Sequence, residues 1–173
     1  ETRYGWKFVH SEDRLRSPMR RQFGALIECD YSRAYADAIE GLRSAVEAGT
    51  RIALVVSPNL SCEEAFLLAT LARTLDPTAL LALGPIPRRG SDKSFPPKAP
   101  EDKAFKVYAE KAPNARGVRR VLESIAGAGP NGGKVATYEQ FLDLVAKSTG
   151  RDQIGAIILT GNYPAATGMS GWA

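Results

Sequence analysis

Cys62 stands in the run SPNLSCEE, one residue inside what reads as the first turn of a helix. A thiol placed there could act as a nucleophile, because a helix N-terminus favours the thiolate. Glu63 and Glu64 beside it oppose that charge, and the one histidine, His10, falls in a distant, irregular stretch. A nucleophile needs a base within hydrogen-bond reach. Cys62 therefore reads as an ordinary residue, and His10 as a surface or packing side chain.

Metal chemistry is more sharply limited. A tetrahedral zinc site or an iron–sulfur cluster takes about four soft ligands, and Cys29, Cys62 and His10 cannot supply them. Two isolated thiols form no disulfide framework and fit a reducing compartment.

Phosphate chemistry has two candidate places. Neither a dinucleotide glycine fingerprint nor a Walker sequence occurs, but SPNLSCEE points helix amides at a strand end, where an anion could sit. The second place is GAIILTGNYP, where a run of strand formers stops at Thr160 and gives way to Gly161, Asn162, Tyr163 and Pro164. If the two preceding strands are parallel neighbours, Asn59 to Ser61 and Gly161 to Pro164 line one crevice. Ligands of open α/β sheets bind at such a place. Gly161 would let a ligand approach the backbone, Asn162 could read a polar edge, and Tyr163 could stack. The plainer alternative is that Gly161 allows a tight turn, Pro164 ends the strand, and Tyr163 packs on a neighbouring domain.

The elements that would position these residues follow from periodicity. Residues 3 to 29 read as irregular and extended, broken by Pro18 and Gly24. Asp30 reads as the N-cap of a helix with an apolar stripe (Tyr31, Ala34, Tyr35, Ala38, Ile39, Leu42, Ala45, Val46) that stops at Gly49. RIALVVS, 51 to 57, is a continuous aliphatic run and fits a strand covered on both faces of a parallel sheet. Ser61 and Glu64 are spaced as a capping box, and the helix they open, EEAFLLATLARTL, is apolar on most sides and predicts a buried helix. ALLALG, 79 to 84, is a second buried strand; 85 to 104 reads as a charged, Pro-rich loop; FKVYA, 105 to 109, is a third short strand. Asn114 is placed to cap a helix with Val118, Val121, Leu122 and Ile125 on its stripe, and GAGPNGGK is a break. Thr137 and Gln140 form another capping box, before a helix with Tyr138, Phe141, Leu142 and Val145 inward, and IGAIILT is the last strand. This alternation predicts an α/β, Rossmann-like three-layer domain with a mainly parallel sheet over 30–173, preceded by an extended segment, 1–29.

Composition supports a folded domain: 173 residues, 44% hydrophobic and 24% charged, with a net charge of +4. No apolar window is long enough to span a bilayer, and the charged and aromatic first residues do not read as a signal peptide. A first residue other than Met, and a sheet with few strands, give the expectation of a piece of a longer protein. Arg14, Arg16, Arg20 and Arg21, with Asp13 among them, could be a nucleic-acid footprint. No RNA-binding aromatic motif or helix-turn-helix pattern accompanies them, so they read as a solvated strand or a docking surface for a neighbouring domain.

The stretch RYGWKFVHSEDRLRSPMRR resembles the signature that follows the iron–sulfur module in the molybdopterin oxidoreductase superfamily, through Tyr4, Gly5, Trp6, Phe8, Asp13, Arg14, Leu15 and Pro18. The turn Asn59 to Glu64 is similar to the family's N-[ST]-x-E-E-like entry into a long apolar helix. AEKAPNARGV, 109 to 118, and TGNYP resemble the G chain of NADH:quinone oxidoreductase, respiratory complex I. The resemblance spans this chain and a middle part of such a subunit. It implies a fragment of a larger fold whose strand ends, here Asn59, Ser61, Glu64, Gly161, Asn162 and Tyr163, cradle the nucleotide part of a pterin cofactor. No Cys or His occurs between 85 and 135 to hold molybdenum, which favours the branch that keeps the fold without the metal. The expectation is then a scaffold domain without its own cofactor or catalysis. Its parent would carry iron–sulfur clusters and pass electrons from NADH to quinone, in the cytoplasmic peripheral arm of a membrane-bound complex. Its partners would be other domains of the parent subunit and other respiratory subunits, with no nucleic acid and no direct membrane insertion. The alternative is a cofactor-domain fragment of a molybdopterin-dependent oxidoreductase such as formate dehydrogenase, binding molybdopterin guanine dinucleotide.

Overall fold

The computed structural model describes residues 10, 12, 15–97, 100, 103–127 and 134–161. The chain divides into two compact units, 1–44 and 45–173, and the division falls inside the first helix.

In the first unit, the stretch expected to be irregular contains an antiparallel hairpin of β1 (Met19–Gln22) and β2 (Ala25–Glu28). Phe23 and Gly24 both take positive φ, at 51° and 81°, the twist that a two-residue hairpin turn needs. The sequence hid this hairpin because Phe is a poor advertisement for a left-handed position. Arg20 reaches the Asp37 carboxylate at 3.3 Å, and Arg33 approaches the same carboxylate at 2.8 Å. Helix α1 (Tyr31–Glu47) starts as expected, with the Arg33 amide donating to Asp30 Oδ1 at 2.7 Å. Its apolar stripe is a correction: Tyr31, Tyr35 and Ile39 are exposed, and Ala45 alone of the helix is buried.

The second unit is an α/β domain. Strand β3 (Arg51–Val56) lies between β4 (Leu80–Leu83) and β7 (Ile154–Leu159), all parallel. Ala136 makes one further parallel bridge to Ala82, on the free side of β4. The order Ala136-β4-β3-β7 is that of half a doubly wound sheet, in which the chain steps outward twice and then returns beside its first strand. Helix α2 (Cys62–Leu75) joins β3 to β4, α3 (Ala115–Gly127) leads to the Ala136 bridge, and α4 (Tyr138–Lys147) leads to β7. Helices α2 and α3 contact each other and the central strands. Helix α4 seals the other face, where Tyr138 and Phe141 cluster with Ala53, Val55 and Ala82. Every residue from Ile52 to Val56 is buried, because β3 is covered on both faces, as its unbroken aliphatic run predicts.

Two expectations fail here. Helix α2 buries only Ala65, Ala69 and Ala72; Phe66, Leu67 and Leu71 are exposed. The small residues let α3 and the sheet come close, and nothing among the described residues covers the opposite face. The 105–109 run does form a strand, β6 (Phe105–Val107), but it stays out of the parallel sheet. It pairs antiparallel with β5 (Lys93–Phe95), inside the stretch read as a structureless loop.

At the amino-terminal end of the sheet, Asp76 is buried and fully engaged. Its carboxylate accepts from the Ile52 amide at 2.9 Å, the Thr78 amide at 2.8 Å and the Thr78 hydroxyl at 2.7 Å. This fixes the end of α2 to the start of β3, and thereby sets the height of the opposite, carboxyl-terminal end.

Candidate functional site

Chain order places the switch in strand order between β3 and β7, at their carboxyl ends. The residues that meet there are Ser57 to Ser61 and Thr160 to Gly161. Thr160 extends the pairing past the last strand residue. Its hydroxyl donates to the Val55 carbonyl and accepts from the Ser57 amide, both at 3.1 Å. Ser57 is fully buried, and its hydroxyl accepts from the Asn59 amide at 3.2 Å, which turns the chain away from the sheet.

Gly161 lies directly against Ser57. A Cβ added at Gly161 would fall 2.4 Å from Ser57 Cβ and 2.5 Å from its Oγ, and the backbone φ is +98°. Both facts demand glycine, so the close approach at this position is made by the protein's own Ser57. Of the crevice expected between Asn59–Ser61 and Gly161–Pro164, the described residues show Gly161 against Ser57. Asn162, Tyr163 and Pro164 lie outside the described residues.

Across the notch, the first turn of α2 is saturated by its own side chains. Ser61 Oγ accepts from the Glu64 amide at 3.1 Å, and Glu64 Oε2 accepts from the Ser61 amide at 2.8 Å. The Glu63 carboxyl is held below its ordinary 4.5, first by its own backbone amide and then by the Ser61 hydroxyl. The capping box expected at Ser61 and Glu64 is therefore present, and it occupies the Ser61 and Glu64 amides. The Glu63 and Glu64 side chains also bring two acidic groups to the helix end at which an anion would have to sit, which opposes the pull of the helix dipole; Asn59 beside them is exposed.

Cys62 Sγ lies 3.6 Å from Asn114 Nδ2 and 4.0 Å from Asn114 Oδ1. A Cβ on Gly117 would come within 2.9 Å of the sulfur, so α3 closes over the thiol. Asn114 sits just before α3 as expected, but its side-chain amide is spent on the Leu60 carbonyl at 2.8 Å, while its backbone amide donates to the Pro58 carbonyl at 3.2 Å. The thiol touches an amide and a helix backbone, not a base. His10 is exposed in the other unit. No group of three or more acidic, histidine or cysteine side chains among the described residues is arranged to hold a metal ion.

A shallow, open pocket of about 360 Å³ lies elsewhere, between the Ala136 bridge and α4, lined by Leu80, Lys134, Val135, Ala136, Gln140, Asp143 and Leu144. Gln140 is already committed to the Thr137 cap at 2.9 Å, leaving too few convergent polar groups to orient a ligand. Sequence reading missed the roles of Ser57 and Thr160. A Ser just past a buried strand and a Thr at the end of another are the signals that could have found them. No protein-family model, no curated protein and no solved structure matches this chain.

Proposed function

We propose that this chain is a scaffold domain of a subunit resembling the G chain of NADH:quinone oxidoreductase, keeping a nucleotide-type fold without its cofactor. One observation carries the reading: the switch-point notch, where such a fold would bind, is filled by Gly161 against Ser57 and by the self-capped, acidic start of α2. The N-terminal signature and the TGNYP loop supply the family, and the parallel sheet is the kind of frame that family would need. No described helix is long and apolar enough to cross a membrane, which suits a domain held in the peripheral arm by neighbouring subunits. The rival, a cofactor-domain fragment of a molybdopterin-dependent oxidoreductase, would need this notch open to phosphates.

The test is to isolate the tagged protein from its own organism under mild detergent. The scaffold reading expects NADH:quinone reductase activity to co-purify with it, and no fluorescent pterin to appear after iodine oxidation. Formate-dependent dye reduction with about one pterin per chain would replace the scaffold reading with its rival.

A further inference from the structure

The segment between β4 and α3 is an antiparallel ribbon that turns its apolar face outward. Its base is tied by the Arg89 amide to the Ala109 carbonyl at 2.8 Å and by the Lys111 amide to the Pro87 carbonyl at 2.7 Å. Asp92 Oδ1 accepts from the Ala109 amide at 2.7 Å, and the Arg116 guanidinium stacks 3.8 Å over the Tyr108 ring. Beyond that base, β5 and β6 pair Lys93 with Val107 and Phe95 with Phe105. Cross-strand partners and residues two apart share a face, so Lys93, Phe95, Phe105 and Val107 stand together. Phe95 is 49% exposed, Phe105 70% and Val107 38%. A two-stranded ribbon is marginal alone. The stretch that contains the ribbon is basic in composition, with seven basic side chains against four acidic ones over residues 87–111, a net +3, and Lys93 shares the face with the phenylalanines.

We propose that this ribbon face docks an acidic protein surface, one that presents apolar or aromatic side chains between its carboxylates. An apolar centre with a charged rim is the anatomy of a protein interface. The charge sign selects an acidic partner and disfavours a second copy of this chain, which is itself at +4. Single-stranded nucleic acid fits less well. It requires successive stacking platforms along a basic groove, whereas Phe95 and Phe105 are one cross-strand pair and Asp92 and Glu110 sit in the ribbon's base. The inference stands independently of the scaffold role.

The test measures binding of the purified chain to fluorescent poly(Glu,Tyr) copolymer, poly-glutamate, oligo-thymidine and phosphatidylglycerol vesicles. The copolymer should bind about tenfold tighter than poly-glutamate, a difference of about 1.4 kcal/mol. Phe105→Ser should remove that preference, and Arg88→Glu with Arg89→Glu should weaken both polymers. Unchanged circular dichroism would show that these exposed substitutions leave the fold intact. Equal binding of the two polymers, binding of neither, or tighter binding of oligo-thymidine or vesicles would overturn the proposal, as would a Phe105→Ser variant that keeps the preference.

Discussion

The switch-point notch and the β5–β6 ribbon both leave the sheet from the carboxyl ends of its strands, and they are opposites. The notch has the position of a binding site and is filled from within: Ser57 bonds Thr160 and abuts Gly161, and the first turn of α2 caps itself. The ribbon has no motif to mark it, yet it leaves two phenylalanines and a valine facing solvent beside Lys93. Position in a fold shows where ligands can bind, while unsatisfied surface shows where something still does. By that measure the ribbon, like the uncovered face of α2, is a surface open to a partner, and the notch is not.

The largest expected effect tests how tightly the notch is closed. Gly161→Val has to fit a branched side chain where even a Cβ meets Ser57, at a φ that valine avoids. It should cost about 3 kcal/mol or more, read from urea unfolding. A cost near zero would mean that the notch has room, and would weaken the contrast with the ribbon.

A smaller effect is expected at the α2 cap. Ser61→Ala removes the acceptor for the Glu64 amide and should cost about 1 kcal/mol at neutral pH. It also removes the hydroxyl that helps keep the Glu63 carboxyl below its ordinary value. Because that value is lowered in the folded state, the associated stability is present above pH 4.5 and fades as pH falls through the lowered value. The wild-type advantage over Ser61→Ala should therefore shrink in acid. Carbon NMR titration of Glu63 should show its midpoint moving upward in the variant, and an unmoved midpoint would break the account of the cap. The smallest effect belongs to the ribbon: in the same unfolding assay Phe105→Ser should shift stability by less than about 0.5 kcal/mol.

Much of the second unit was legible because its signals are local. RIALVVS is unbroken and aliphatic because β3 is covered twice, and both capping boxes follow from hydroxyl and carboxamide or carboxylate spacing. That the chain leaves β3 and β7 at one edge of the sheet was legible too, because parallel neighbours share their carboxyl end. What the notch contains was not. That Gly161 faces Ser57 rather than a ligand depends on the side chain of another strand, 104 positions away in sequence. Of the ribbon, β6 was legible as the short run at 105–109, while β5 escaped notice because it is three residues long and stands before prolines, below the length at which alternation stands out. The apolar sides of α1 and α2 misled for a different reason: periodicity reports which face is apolar and not whether anything covers it.

The most direct test of the central claim is calorimetric titration of the purified chain with guanine nucleotides. A notch filled by its own Ser57 contact and its own carboxylates predicts no binding tighter than about millimolar, near −4 kcal/mol. Micromolar binding that is lost on Asn59→Ala would contradict the claim and return the notch to use as a nucleotide site.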